Sequence, residues 1–235
     1  NWLLSANLGL LESKLVDVFA IDVLDRTAGN SDFVVLKNAA SYSNCAVSAE
    51  GYATILGAIA AGQLDAGSTA GLCLGSFAGQ EATFGLGEVS YVDGDGSLRT
   101  IGALTPFDGV NKNLSDNNLP GAPDTTLNLA AEYTFPSLGN SSWDLTIRGD
   151  YYYQAESFAR IWNVPRDEIS SWENVNLSLV LANDDTGFQI TAFAKNLFDE
   201  EVITGAYLQD DSPGLYSNVF LTEPALYGVT ISKSW

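Results

Sequence analysis

The sequence predicts an all-β fold: an antiparallel meander of about six amphipathic strands forming part of a transmembrane β-barrel, with one very long extracellular loop. Three observations predict it. Apolar and polar residues alternate along segments of residues 125–235, which is the two-residue period of a strand. The segments run about ten residues and end on aromatics, the pattern of lipid outside and polar lumen inside. The connections alternate very long, short, long, short, long, an asymmetry typical of outer-membrane barrels and hard to obtain from a soluble sandwich.

The first segment, residues 2–14, puts Trp2, Leu4, Ala6, Leu8 and Leu10 on one face and Ser5, Asn7 and Gly9 on the other. Residues 17–124 then change character. They are rich in Gly, Ala, Ser, Asn and Asp, with few long periodic runs. A helix is expected over 51–61, and a hairpin of 89–92 with 98–104 around Asp93-Gly94-Asp95-Gly96, because Asp-Gly marks a turn. A loop of this length must be functional or carry structure of its own.

Five strands follow. In 125–135, Leu127, Leu129, Ala131, Tyr133 and Phe135 oppose Thr126, Asn128, Ala130, Glu132 and Thr134. In 143–154, Trp143, Leu145, Ile147, Gly149, Tyr151 and Tyr153 oppose Asp144, Thr146, Arg148 and Asp150. In 174–182, Val175, Leu177, Leu179 and Leu181 alternate with Asn174, Asn176 and Ser178. The segment 188–196 follows a tight Asn-Asp-Asp-Thr-Gly turn, and residues 197–224 read as a long loop. The last strand, 225–235, turns Tyr227, Val229, Ile231 and Trp235 outward, with Lys233 near its end able to snorkel. The domain reading is therefore a barrel strand over 1–16, a long loop over 17–124 and five barrel strands over 125–235.

Composition narrows the function classes. The 235 residues carry a net charge of −19, which excludes nucleic acid as a partner because that needs a basic stripe. No run of 18 or more apolar residues is present, so no transmembrane helix is expected. Histidine is absent, and with it the usual general base and the commonest metal ligand. No enzyme activity, catalytic residue or cofactor is expected. Methionine is also absent and residue 1 is Asn, so the chain reads as a processed product or a piece of something longer. Cys45 and Cys73 have no metal-ligand spacing. In an exported protein they read as one disulfide closing a loop of roughly 29 residues, worth about 3 kcal/mol. The alternative is two buried free thiols.

Asn118-Leu119-Pro120-Gly121-Ala122-Pro123 leads into Leu127-Asn128-Leu129-Ala130-Ala131-Glu132-Tyr133-Thr134-Phe135. With Leu145 to Tyr151, Asn174 to Leu179, Ala194-Lys195-Asn196-Leu197-Phe198-Asp199-Glu200-Glu201, and Glu223 to Val229 running on to Trp235, it resembles the C-terminal region of TonB-dependent outer-membrane receptors. The stretch around Asn196, for example, is similar to that family's "KNLFDKEY" segment. Each motif is weak alone; their shared order and spacing carry the resemblance, which covers residues 118–235. It implies a barrel of about 22 strands closed by an N-terminal plug. It also implies energy-coupled uptake of a scarce nutrient, such as a ferric siderophore, haem, cobalamin or a glycan. The chain departs from the family in extent, with no plug and no energy-coupling box. It supplies only the C-terminal wall of such a barrel.

The implied partners are outer-membrane lipid, the TonB complex through the missing plug, and a small nutrient ligand held by loops near 17–124, 155–171 and 205–222. The implied location is the bacterial outer membrane. Tyr227, Val229, Ile231 and Trp235 match the family's C-terminal barrel-assembly signal. Leu127, Leu129, Leu145, Ile147, Leu177 and Leu179 are the expected lipid-facing residues. Trp143, Tyr151, Tyr153 and Trp172 are expected in aromatic girdles, as is Trp162. Asp93 and Asp95 are weak Ca²⁺ candidates, with turn chemistry the stronger reading, because an EF-hand's Gly and terminal Glu positions are lacking. An alternative reading is an extracellular proteolytic fragment that assembles with copies of itself through open strand edges into a filament. A soluble carbohydrate-binding sandwich is disfavoured, since the C-terminal motifs would then be coincidence.

Overall fold

In the computed structural model, which describes residues 1–38, 43–212 and 214–234, the period-2 segments pair as strands. In chain order the elements are β1 (Trp2–Leu10), β2 (Phe19–Ala20), β3 (Phe33–Leu36), β4 (Cys45–Ser48), α1 (Ala49–Ala60), α2 (Ser68–Cys73), β5 (Glu88–Val92), β6 (Leu98–Gly102) and β7 (Lys112–Asn113). They continue with β8 (Thr125–Phe135), β9 (Trp143–Gln154), β10 (Ser157–Phe158), β11 (Glu168–Ile169), β12 (Trp172–Asn183), β13 (Phe188–Lys195), β14 (Ile203–Leu208), β15 (Ser217–Leu221) and β16 (Leu226–Lys233). The fold is mostly antiparallel sheet, and no helix of the described residues is long and apolar enough to cross a membrane.

The chain divides into two units. The first holds residues 1–14, 118–207 and 219–235. Its core element is one six-stranded antiparallel meander in the order β1-β8-β9-β12-β13-β16. These are the six strands expected from alternation, with β8 and β9 at the expected bounds and β1 ending earlier, at Leu10. Among the described residues, β1 and β16 each pair on one side only, so the sheet is open at both edges.

Part of the long 197–224 connection is ordered as a hairpin of β14 with β15, which the sequence reading left as loop. Its strands are short, and Gly205 interrupts the side-chain pattern, so the periodic signal is weak. The hairpin tip, Leu208–Asn218, is counted with the second unit.

That second unit holds residues 15–117 with 208–218. The segment read as a very long loop therefore folds around a core of its own: Cys45, Val47, Ile55, Leu72 and Leu104. Ser48 caps α1 by accepting from the Gly51 N–H at 2.8 Å. Gly51 is required there, since a Cβ would lie 2.0 Å from the Ala103 carbonyl oxygen. The expected hairpin is present as β5 paired with β6. Cys45 and Cys73 form a disulfide that ties β4 to α2.

Candidate functional site

Strand register builds a two-faced sheet, and the two faces are the candidate functional surfaces. On one face, Leu8, Leu127 and Tyr153 align across β1, β8 and β9, and Ala6, Leu129 and Tyr151 form the next row. Tyr133, Ile147, Leu179, Ala192 and Val229 make a row across five strands, and Phe135, Leu145, Leu181, Ile190 and Ile231 make another. Leu177 sits between Gly149 and Ala194. All six leucines and isoleucines expected to face lipid thus share one surface, together with Tyr227, Val229 and Ile231. Leu4, Tyr227, Val229 and Ile231 are 71%, 64%, 67% and 68% exposed, far beyond what scattered surface apolar residues require. Trp235 lies outside the described residues.

Aromatic residues collect at both ends of this face. Toward the short turns, Trp2 contacts Tyr133 at 4.6 Å between ring centroids, and Tyr133 contacts Phe135 at 4.4 Å. Trp143 and Phe188 both pair with Asn183 at the same end, where Lys233 lies over the Phe188 ring at 4.8 Å. Toward the long connections stand Tyr151, Tyr153 and Tyr227, with the Tyr151 hydroxyl donating to Glu173 at 2.7 Å. Leu, Ile, Val and Ala fill the middle. Trp143, Tyr151 and Tyr153 lie on this face at its two ends. Trp172 does not: it pairs with Gln154, in the parity of Tyr152, and so projects from the opposite face. The expected strand began at Asn174, which left Trp172 without an assigned parity. Trp162 lies in the connection between β9 and β12 rather than on the sheet. Trp2, Tyr133, Phe135 and Phe188 were the aromatics missed, because an aromatic band emerges only once register aligns the strand ends.

The opposite face is polar. Arg148 is held by Asp150, with Nε–O distances of 3.0 and 3.1 Å, and lies 3.7 Å from Glu132. Thr134 and Thr146 hydroxyls meet at 3.0 Å. Asn7, Asn128, Tyr152 and Asn174 form a row across four strands. Phe193 covers Gly228 on this face; a Cβ there would lie 2.4 Å from the ring. A cavity of about 590 Å³ opens at the end of the long connections, lined by Asp150, Tyr152, Trp172, Asn174, Asn176 and Lys195 among others. A neighbouring cavity of about 320 Å³ shares Asp150, Tyr152 and Asn176 and reaches Asn7 and Asn128.

Asn196, from the family-like stretch, organises the chain leaving β13. Its amide donates to the carbonyls of Glu200 at 3.0 Å and Glu223 at 2.9 Å, and its side-chain oxygen accepts from the Glu200 N–H. Its own N–H donates to Asn176. The backbone there is left-handed, φ 46°, which Asn tolerates better than most residues. Asp199 accepts from the Ala225 N–H at 2.8 Å, so the same turn sets the entry to β16.

In the second unit the acidic residues serve the fold. Asp93 accepts from the Asn111 N–H at 2.8 Å and the Asn111 amide at 2.9 Å. Burial pushes its carboxyl up, but these bonds and the Gly94 N–H outweigh burial and hold it below the ordinary carboxylate value. Asp95 accepts from the Ser97 hydroxyl and N–H, which lower its carboxyl as well. Arg99 lies within ion-pair range of both. Among the described residues no group of three or more His, Cys, Asp and Glu side chains is placed to hold a metal. Asp211, only 2% exposed, pairs with Arg26 at 2.5 Å and accepts from the Asn44 N–H. Its carbonyl accepts from Lys37, and Arg26 also donates to the Asp108 carbonyl at 2.7 Å.

No protein-family model, curated protein or solved structure matches the chain.

Proposed function

We propose that this chain is a wall of a transmembrane β-barrel in the bacterial outer membrane. In this reading it is the C-terminal part of a TonB-dependent receptor that takes up a small nutrient ligand. The observation that carries the proposal is the apolar face, continuous across six strands, exposed on its edge strands and half-exposed between them, and bounded by aromatics at both ends. From Trp143 to Tyr153, ten residue steps, the strand runs about 33 Å. At a barrel tilt of about 40° this is about 25 Å along the membrane normal, the height of an outer-membrane barrel's apolar band. Solvating such a face in water would leave this apolar surface uncovered, whereas lipid covers it without any further protein. The polar face, with its compensated Arg148, suits a lumen. The motifs around Asn196 and Glu223 supply the resemblance to the receptor family, and coupling to TonB belongs to a plug beyond this chain.

The test is environment scanning along β8. All cysteines of the chain are in the disulfide, so single cysteines at positions 127, 128, 129 and 130 take a spin label uniquely. In liposomes, Leu127 and Leu129 sites are expected to report lipid, and Asn128 and Ala130 sites a polar environment. A flat profile would overturn the membrane reading.

A second reading rests on the open edges. Both β1 and β16 offer unpaired backbone, and unpaired edges template pairing with another chain. Assembly of copies into an extracellular filament would cover the apolar face with protein instead of lipid. Detergent-free sedimentation distinguishes the two, since filaments pellet and give the ~4.7 Å cross-β spacing.

A further inference from the structure

We propose that the polar face carries a cleft for a neutral oligosaccharide, stacked on the Tyr152–Trp172 ring pair and hydrogen-bonded by the side-chain amides of Asn128, Asn174 and Asn176. The inference names the substrate class of the uptake role proposed above and rests on that reading for the cleft's place in a transport path.

Two adjoining cavities, about 590 and 320 Å³, share Asp150, Tyr152 and Asn176 and together make an elongated groove along the strand rows. The Tyr152 and Trp172 ring centroids lie 4.9 Å apart with the ring planes tilted by 54°, which presents ring surface rather than a closed stack. A sugar ring has an apolar C–H face and a rim of hydroxyls, so it needs ring surface beneath and paired donors and acceptors beside it. The amides supply those pairs, since each has two N–H donors and one carbonyl acceptor. Among the described residues the Asn128 and Asn174 side chains have no hydrogen-bond partner, and Asn176 uses only its oxygen, toward the Asn196 N–H. Across the sheet, Tyr152 stands between Asn128 and Asn174, which places an amide on each side of the ring.

Charge argues for a neutral ligand over an anionic chelate. Arg148, on the same face, is already compensated by Asp150 and Glu132. Lys195 is the remaining cation of the cleft lining, which also holds the carboxylates Asp150 and Glu223, and the chain as a whole carries −19. An apolar ligand would cover the Asn128 and Asn174 amides and the Asn176 amide N–H groups without giving them partners.

Isothermal titration of the protein in detergent with cellohexaose, maltohexaose and xylohexaose, and with ferric citrate as the anionic comparison, tests the proposal. Saturable binding of at least one oligosaccharide is expected, weakened about tenfold or more, equal to about 1.4 kcal/mol, in both Trp172→Ala and Asn174→Ala. Gln189→Ala, on the same face but outside the cleft, keeps wild-type affinity. No saturable binding of any of the three up to about 10 mM overturns the inference. So does binding that neither variant weakens, or binding of ferric citrate alone. Liposome partitioning of the same samples separates the two proposals. A wild type that enters bilayers but binds no sugar sinks only the cleft; one that binds sugar but stays out of bilayers sinks the membrane role.

Discussion

Asn196 shows how a residue legible only as part of a motif acquires a physical role. Its buried side chain joins three backbone groups, the N–H and carbonyl of Glu200 and the carbonyl of Glu223, of which the Glu200 carbonyl also accepts from the Thr222 hydroxyl. Truncating it removes all three of these bonds and leaves a residue at positive φ without compensating contacts. Asn196→Ala is therefore expected to destabilise the sheet unit by about 2–4 kcal/mol. Denaturant unfolding in detergent measures it, and a loss below about 0.5 kcal/mol would show that the turn is held elsewhere. Asp211 makes the complementary point. It lies in the 197–224 segment that the sequence predicts as loop, yet it is buried on Arg26. Asn196 finds Glu200 four residues on, but Arg26 lies 185 positions from Asp211, so no local pattern could reveal that pair.

At the scale of elements, long alternating strands were legible and short ones were not. β8 and β9 each carry more than ten residues of period-2 signal, whereas β14 and β15 carry about half as many, and β3 and β4 fewer still. The β5–β6 hairpin was found from its Asp-Gly turn, and its stability has a pH signature. Asp93 is held below the ordinary carboxylate value, so the ionised form is favoured in the folded state. The sign follows directly: that stabilisation is present above the unfolded value of about 3.9 and is lost as pH falls through the lower folded value. Acidification from pH 5 through the lowered folded value should therefore destabilise the second unit through this residue. Asp93→Asn should remove that part of the slope while leaving the rest of the acid response. Thermal melts of wild type and variant across this range measure the difference, and parallel pH profiles would refute the assignment.

For the whole molecule, the decisive property is that one sheet carries an apolar face and a polar face. The alternation that defines them was legible strand by strand. The continuity of the apolar face, its two aromatic ends and the groove on its reverse were not, because all three depend on register between strands far apart in sequence. Trp172 marks the boundary of what pattern alone could assign, since it begins its strand and its parity comes only from pairing with Gln154. The faces also make unequal predictions for one chemical change. Leu179 and Ser178 are neighbours in β12 on opposite sides. If lipid covers the apolar face, Leu179→Arg near its middle should cost about 2–4 kcal/mol of stability in a bilayer, while Ser178→Arg, which meets Arg148 across the strand pair, should cost no more than about 1 kcal/mol of like-charge repulsion. In a filament the apolar face is buried against protein, so Leu179→Arg would block assembly and leave bilayer stability undefined, because no bilayer-inserted form exists. Reversible unfolding of both variants in liposomes, alongside detergent-free sedimentation, resolves these outcomes. A large penalty at 179 and a small one at 178, with no pelleted filament, is the result expected of a barrel wall. Equal penalties at the two positions would mean that the sheet does not separate lipid from water.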